Sequence, residues 1–389
     1  MSRTKKENRR NRRNRQDLIK KLKYFTVLCV LTLACAGCKK ETKEAEDTLP
    51  EPTPTETVTE TPTPTPEEAI ISAELMEEEE IPEGMVISHL TGEYVAEEIG
   101  TRRPVAVMIN NIKAALPSSG LSKAGVIYEA PVEGSLTRLM PIFEDYDALD
   151  KIGSVRSCRD YFINYAMGFE AIYVHYGQAA YALPYLESDA VNNLSGLSGY
   201  GEKVFYRTSD RKAPHNAYTS AEGIQKGIDI LGYSQSYSED YESPLNFVQI
   251  GEEVTLENGS PATTVKPGYT VNTPWFEYNA EDGLYYRYEY GEAQIDETFD
   301  TQLAVKNIIF QYSSWRNYDE NGYLNIDAAA GGACKYFTNG KVIDGTWTRD
   351  GQWGGETYYD SEGNEININT GKTWICVIQD TYADRVEIS

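Results

Sequence analysis

Apolar residues follow different patterns in the two halves of the chain. Between residues 104 and 235, short continuous apolar runs such as PVAVMIN, VIYEA, LTRLMPIF and EAIYVHY alternate with helical patterns. Such runs are typical of strands that are buried on both faces. SCRDYFINYAMG and TSAEGIQKGIDILG predict helices; in the second, Ile224, Ile228 and Leu231 share one face and Gly232 ends the helix. We therefore predict a mixed α/β domain over residues 86–240.

From about residue 245 the pattern changes to short strands rich in aromatic residues. PWFEYNAEDGLYYRYEYG and KYFTNGKVIDGTW each predict a β-hairpin, with turns at Glu-Asp-Gly and at Asn339-Gly340. LAVKNIIFQYS, ETYYDSEGNEINI and GKTWICVIQ predict further strands, in which Cys334 and Cys376 could form a disulfide. The predicted fold class is α+β, with an N-terminal mixed α/β domain followed by a mostly antiparallel β domain over residues 241–389.

Residues 1–37 have the features of an export signal. Eleven Lys/Arg residues lie in residues 1–23, and an apolar run over residues 24–34 follows. The run is too short to span a membrane, which takes roughly 20 apolar residues, and a basic segment before a short apolar one is typical of a signal peptide. The next letters, CAGC, resemble the lipobox of bacterial lipoproteins, which predicts lipidation at Cys38. Ordinary cleavage, or an uncleaved anchor with a basic cytoplasmic tail, are the alternatives.

Residues 38–85 are predicted to form a disordered tether. They are rich in Thr, Pro and Glu and lack aromatic residues, so they cannot bury enough apolar surface to fold. Without residues 1–37 the chain keeps 25 Lys/Arg against 58 Asp/Glu, a net charge near −33. That charge argues against nucleic-acid binding and leaves the lipid anchor as the contact with an anionic membrane. We expect a lipid-anchored protein on the extracytoplasmic face of the cell membrane.

The segment IGSVRSCRDYFINYA places two arginines, Arg156 and Arg159, within four positions of a strongly acidic chain. Ser157 and Asp160 are spaced as a capping box, which predicts that a helix starts here. A helix N-terminus with two guanidinium groups beside it favours a carboxylate or phosphate ligand. Internal pairing is the alternative, and four acidic residues are its candidate partners: Glu129, Glu133, Glu144 and Asp145.

Other positive charges lie where a ligand site would form. His175 ends a predicted strand, and the loop YRTSDRKAPHNAY carries several more cationic side chains. In α/β sheets, ligands gather at the carboxyl ends of strands and at neighbouring helix N-termini. The sequence therefore predicts an anion-binding cleft formed by seven residues: Arg138, Arg156, Arg159, His175, Arg207, Arg211 and His215.

Three residues are candidates for catalysis. Glu129 and Glu133, in YEAPVEG, could act as an acid–base pair as in glycoside hydrolases, or form salt bridges to arginines. Cys158, beside arginines and a predicted helix start, could be a reactive thiol that pairs with His175, or a small packing residue. No segment has the spacing of an ordinary zinc site, and the sequence predicts neither a metal nor a cofactor.

Several segments resemble the signature segments of the YerB-like lipoproteins: RPVAVMINN, GLSKAGVIYEAPVEGSLTRLMPIF, IGSVRSCRDYFIN, VHYG and APHNAYTS. GGACKYFTNGKVIDGTW and GKTWICVI are similar to the second domain of the same family. The resemblance implies a two-domain Gram-positive envelope lipoprotein and implies no established reaction. The family pattern at the arginine segment is closer to V-R-S-small-R, so Cys158 departs from it.

These patterns favour a non-catalytic envelope protein that binds an anionic cell-wall component or a wall-assembly protein. The alternative is a peptidoglycan-acting hydrolase or transferase that uses Glu129 and Glu133, or Cys158. The positions of these three side chains in the fold distinguish the two hypotheses.

Overall fold

The structure is a computed structural model and describes residues 81–389. The predicted signal peptide, the lipidation site and most of the predicted tether lie outside the described residues. Within residues 81–389, no helix has both the length and the apolar character that crossing a membrane requires.

The described residues contain many short strands. In residues 81–240 the strands are β1 (Met85–Ile87), β2 (Tyr94–Ala96), β3 (Val105–Val107), β4 (Ile109–Asn110), β5 (Val126–Pro131), β6 (Thr137–Phe143), β7 (Ile152–Gly153), β8 (Ile172–His175), β9 (Asn193–Ser195), β10 (Phe205–Arg207) and β11 (Ala217–Thr219). In residues 241–389 they are β12 (Ser260–Pro261), β13 (Thr264–Lys266), β14 (Trp275–Asn279), β15 (Leu284–Glu289), β16 (Glu292–Ala293), β17 (Ile295–Asp296), β18 (Thr301–Gln302), β19 (Ala304–Val305), β20 (Asn307–Ser313), β21 (Trp315–Asn317), β22 (Leu324–Ile326), β23 (Gly332–Thr338), β24 (Lys341–Arg349), β25 (Glu356–Asp360), β26 (Thr373–Gln379) and β27 (Glu387–Ile388).

The α-helices of the described region all lie before residue 240: α1 (Glu97–Gly100), α2 (Asp160–Met167), α3 (Leu183–Leu186), α4 (Gly201–Val204) and α5 (Ala221–Leu231). Short 3-10 segments span Lys113–Ala115, Leu121–Lys123, Glu133–Ser135, Ala180–Ala182 and Asp380–Arg385. The predicted helices α2 and α5 are confirmed.

The two predicted helices begin differently. At α5 the Ser220 side chain accepts a hydrogen bond from the backbone N–H of Gly223, and Gly232 ends the helix in the left-handed conformation with φ of 66°. At α2 the predicted capping box is wrong, because the N-cap residue is Arg159 and no side chain caps the helix. Ser157 lies outside α2 and donates to the carbonyl of Tyr176 instead, at 3.3 Å.

A mixed sheet runs through the described region. Its strand order is β12-β24-β23-β20-β26-β5-β6-β3-β8-β9, with β25 added on β24 and β4 on β6. The pairs β20–β26, β26–β5, β3–β8 and β8–β9 are parallel, and the other pairs in this order are antiparallel. Because β26 lies between β20 and β5, one sheet includes strands from both predicted domains.

Each face of this sheet buries a separate core. On β3, Val105 and Val107 pack into one core while Ala106 packs into the other, as strand alternation requires. The Ala106 side is covered by aromatic residues of α2 such as Phe162. The Val105 side is covered by α5, through Ile224, and by a second sheet.

The second sheet is antiparallel and carries the tyrosine-rich hairpin. Its order is β16-β15-β14-β13-β27, with β19 added on β15. The predicted hairpin is formed by β14 and β15, and in their register Trp275 lies opposite Tyr288, with ring centres 4.8 Å apart. Residues 241–389 are thus mostly antiparallel β structure, which confirms the predicted α+β class.

The disulfide that Cys334 and Cys376 could have formed is not present. Cys334 on β23 pairs with Gln311 of β20, while Cys376 on β26 pairs with Phe310 on the other side of β20. Two strand spacings are about 9–10 Å, beyond the Cα separation that a disulfide spans. The two side chains also belong to the cores on opposite faces of the sheet, and both thiols are free.

Candidate anion-binding site

Backbone pairing holds the arginine segment against the central sheet. Val155 bridges to Ile109 in an antiparallel sense, and the N–H of Arg156 donates to the carbonyl of Met108 at 2.8 Å. On the other side, the N–H of Tyr176 donates to the carbonyl of Arg156 at 3.0 Å. The segment is therefore an extended strip between two parts of the sheet, and this fixes the direction in which Arg156 leaves the backbone.

Four arginines and one histidine meet at this strip, and we call them the arginine cluster: Arg138, Arg156, Arg159, Arg207 and His215. Burial, followed by the charges of Arg159 and Arg156, lowers the pKa of Arg138 to about 10. Burial and the charges of Arg159 and Arg207 lower the pKa of Arg156, and burial and Arg156 lower the pKa of His215. Each side chain therefore lies within electrostatic range of another cation of the cluster.

One arginine of the cluster has an acidic partner. Arg159 is 9 % exposed and holds Glu133 through its Nε, 2.8 Å from Oε1, and through a second, shorter contact from Nη2. Burial alone would raise the pKa of Glu133, but the hydrogen bonds and charge of Arg159 outweigh it and lower that pKa. The pair confirms the internal-pairing alternative for Arg159.

The other three arginines form no ion pair with any carboxylate of residues 81–389. Arg138 donates to the carbonyl of Ser157, and Arg207 donates to Asn216 Oδ1 at 2.8 Å. Arg156 has a weak contact of 3.4 Å to the carbonyl of Pro214, and its buried Nε has no partner. Neutral acceptors thus orient these guanidinium groups without neutralising them.

His215 completes the polar rim. Its Nδ1 accepts from the Asn110 side chain at 2.9 Å, which leaves the proton on Nε2 as a donor. Asn110 lies directly opposite Arg138 in the register of β4 with β6, so the same strand pair positions both side chains.

Three half-buried tyrosines border the cluster, and sequence reasoning missed their role. The Arg159 guanidinium lies 5.8 Å from the ring centre of Tyr323, which is 5.8 Å from the ring of Tyr181. Tyr181 stacks on Tyr318 with ring centres 4.0 Å apart, and the Tyr318 hydroxyl donates to Asp160 at the start of α2. The turn DENGY and the abundance of tyrosine are visible in the sequence. No local pattern, however, indicates that residues 318–323 lie beside α2.

Two residues predicted for the cleft do not line it. His175 is fully buried, with Nδ1 at 2.8 Å from the Gly177 carbonyl and Nε2 at 3.2 Å from Asn193 Oδ1, so a ligand cannot reach it. Arg211 is held by internal partners, including Glu297 at 2.8 Å and the Tyr218 hydroxyl at 2.6 Å. Assigning ligand binding to these two residues is wrong, since both are satisfied within the fold.

The catalytic candidates occupy structural positions. Glu129 is fully buried, forms a salt bridge with Arg287 at 2.6 Å and accepts from Asn272 at 2.9 Å. Glu133 is engaged by Arg159, and the lowered pKa makes it a poor general acid. Burial, only partly opposed by nearby arginines, raises the pKa of Cys158 to about 12, the reverse of an activated nucleophile. The structure thus gives Glu129 and Glu133 the salt bridges that were the alternative to an acid–base pair, and Cys158 the buried packing position that was the alternative to a reactive thiol.

The chain is similar to known proteins over most of its length. A family model described as protein of unknown function (DUF3048), N-terminal domain, matches residues 90–234, and the C-terminal domain of the same description matches residues 264–375. A Bacillus subtilis protein named "Putative lipoprotein YerB" is 33 % identical over 294 residues, which are 76 % of this chain and 86 % of that protein. The chain belongs to the YerB-like family. A crystal structure of the YerB protein from Bacillus subtilis matches it with a TM-score of 0.69 and 32 % identity, covering 78 % of this chain and 99 % of that one.

The two family matches divide the residues of the candidate site between them. The arginine cluster lies entirely within the segment that the N-terminal family model matches, whereas the Tyr318–Tyr323 border lies within the C-terminal match. Among residues 81–389 no group of three or more His, Cys, Asp or Glu side chains is arranged to hold a metal ion. The cluster is thus a cationic part of a YerB-like fold, bordered by residues from both matched segments.

Proposed function

We propose that this chain is a lipid-anchored envelope protein that binds an anionic cell-wall component at the arginine cluster without chemically altering it. The observation that supports the proposal is the charge imbalance at Arg138, Arg156 and Arg207. Acidic residues outnumber basic ones 60 to 36 in the chain, yet none of the three pairs with a carboxylate of the described region.

A cluster of four guanidinium groups with Glu133 as its paired carboxylate has an energetic cost that a ligand would offset. Like charges repel, and the pKa of Arg138 falls to about 10 in consequence of burial and of its cationic neighbours. The buried Nε of Arg156 is left without an acceptor, which costs about 1–3 kcal/mol for a polar group of this kind. A phosphate or carboxylate would accept from the planar guanidinium forks in the bidentate geometry that arginine favours.

The anchor and tether complete the proposal. The family relation supports a lipoprotein, and we assign the acyl chain to Cys38, the last cysteine of CAGC. Residues 39–80 would then carry the cluster away from the lipid surface, to on the order of 130 Å if fully extended at about 3.1 Å per residue. This reach suits a ligand in the cell wall or on a wall-assembly protein more than a lipid headgroup.

The test uses the exported chain from residue 39 onward, with phosphate and citrate as probes. Arg156→Ala combined with Arg207→Ala removes two guanidiniums that have no ionic partner and leaves the Arg159–Glu133 pair intact. Lys212→Ala, on the same loop and exposed, is the matched control.

We expect both anions to raise the Tm of the wild type and of the Lys212→Ala variant. The Tm of the double variant should stay the same with and without either anion. Isothermal titration should show at least a tenfold weaker Kd for the double variant, whose fold is checked by circular dichroism. A wild type whose Tm responds to neither anion, or equal responses in all three proteins, would refute the proposal.

No observation of the described region favours the alternative of a peptidoglycan-acting enzyme. Its three candidate residues are a buried ion-paired carboxylate, an arginine-bound carboxylate and a buried thiol of raised pKa. Non-catalytic binding is therefore the function that the geometry supports best.

A further inference from the structure

A second cationic region, which shares no lining residue with the arginine cluster, surrounds a cavity of about 500 Å³. Its walls come from separate parts of the chain: the 3-10 segment Leu121–Lys123, strands β15, β18 and β19, and residues 370–372. The first of these belongs to the N-terminal family match and the others to the C-terminal match. The cavity therefore lies between segments that the family models separate.

Three lysines line this cavity, and they differ in how they are neutralised. Lys306 is paired with Glu253 at 3.1 Å and donates to Asn339 at 2.7 Å. Lys372 donates only to the backbone carbonyl of Ser122. Burial first, and then the charge of Lys123, lowers the pKa of Lys372.

Lys123 is the exposed member of the three. Its Nζ lies 4.8 Å above the ring centre of Phe299, a side chain that is 38 % exposed. Neither Lys123 nor Lys372 forms an ion pair with a carboxylate of residues 81–389, although the chain as a whole is strongly acidic. Two ammonium groups thus share one concave surface and neither is in a direct ion pair, while the carboxylates of Glu93 and Asp296 lie within electrostatic range of Lys372.

We propose that this cavity is a second binding site, which takes a phosphorylated sugar. Ammonium groups bind phosphate as compact charges, and two of them with a third nearby suit a dianion better than a single carboxylate. The volume lies within the range of about 300–1,000 Å³ that is usual for small-molecule sites. An inorganic ion would leave most of that space empty.

The rest of the lining is suited to a sugar. The rings of Phe299 and Tyr286 offer flat apolar surface for C–H groups, while Thr301, Gln302 and Thr370 offer hydroxyl and amide partners. Glu93, the carboxylate in the lining, would accept hydrogen bonds from sugar hydroxyls. The proposal uses no residue of the arginine cluster, so it does not depend on the proposed function.

The experiment is isothermal titration of the chain from residue 39 onward with glucose 6-phosphate, glucose and inorganic phosphate. Lys123→Gln and Lys372→Gln are tested separately, because Lys372 supports the backbone at Ser122 and its variant is also checked for folding by circular dichroism. Lys226→Gln, on the exposed face of α5, is the control for charge alone.

We expect glucose 6-phosphate to bind at least tenfold more tightly than glucose or inorganic phosphate, and Lys123→Gln to weaken it at least tenfold. The Lys226 control should bind glucose 6-phosphate as the wild type does, and the Arg156→Ala, Arg207→Ala double variant should retain the tight binding that Lys123→Gln weakens. An affinity unaffected by Lys123→Gln, equal affinity for inorganic phosphate, or loss of binding in the arginine double variant would each overturn the proposal.

Discussion

Arg287→Met should destabilise the fold severely, because Arg287 is the buried counter-charge of Glu129. Both side chains are fully buried, and Arg287 Nη2 lies 2.6 Å from Glu129 Oε2. The guanidinium also contacts two rings, with its carbon 4.7 Å from the ring centres of both Phe276 and Trp374. Methionine would keep much of this packing but remove the charge.

The expected loss is set by the carboxylates that remain. Removing one partner of a buried ion pair costs about 3–5 kcal/mol, since the other charge stays desolvated. Here a second carboxylate, Glu289, is also buried, and its pKa is raised to about 7 by burial, with Arg287 opposing that rise. Without Arg287 the pKa of Glu289 should rise further, so the variant should lose less stability at pH 5, where Glu289 takes up a proton, than at pH 8.

Urea unfolding at 25 °C, followed by tryptophan fluorescence, measures the free energy of unfolding for the wild type and three variants. Arg287→Met and Glu129→Gln should each lose about 3–5 kcal/mol, and the double variant should lose less than their sum by about 1–3 kcal/mol. A loss below about 1 kcal/mol for Arg287→Met, or strict additivity, would contradict a structural ion pair. Glu129 would then be free for another role.

Three further outcomes are expected. Burial raises the pKa of Glu144 to about 7, above its ordinary value of 4.5. The contribution of Glu144 to the free energy of unfolding is therefore present below pH 4.5 and lost as the pH rises towards and through 7. Glu144→Gln should flatten that part of the pH profile in urea unfolding, and an unchanged profile would contradict this expectation. Native residues 81–389 should show no fast-reacting thiol with Ellman's reagent and three after denaturation, from Cys158, Cys334 and Cys376, whereas a thiol that reacts at once would contradict their burial. Cys38→Ala should release the protein from membranes or stall its processing, and a mature-sized variant that stays in the membrane fraction would show another means of attachment.

Local signals in the sequence predicted the elements well. The apolar runs at VIYEA and LTRLMPIF became β5 and β6, because central strands covered on both faces need no polar alternation. The face that carries Ile224 and Ile228, with Ser220 before it and Gly232 after it, gave α5 nearly to the residue.

Long-range pairing could not be predicted in the same way. A salt bridge was one of two alternatives for Glu129, with Arg138, Arg156 and Arg159 as the candidate partners. Its partner is instead Arg287, 158 positions later, on a strand of the second sheet. Five of the seven residues expected in the cleft do come together. They could be predicted because positively charged residues are scarce in this sequence and therefore easy to identify. His175 and Arg211 were included wrongly, because burial and internal partners depend on the register of distant strands.

The position of β26 determines when this protein can fold. β26 pairs in parallel with β5 on one side and with β20 on the other. Val126 of β5 lies opposite Thr373 of β26, so this edge of β5 has no neighbouring strand until residue 373 is available. A chain that crosses a membrane N-terminus first would present β5 as an open, apolar edge until almost all of the chain had emerged. A fragment that ends after the N-terminal family match would keep that edge permanently and should aggregate. The two matched segments are separate units of homology, but we expect them to depend on each other for folding because they supply strands to one sheet.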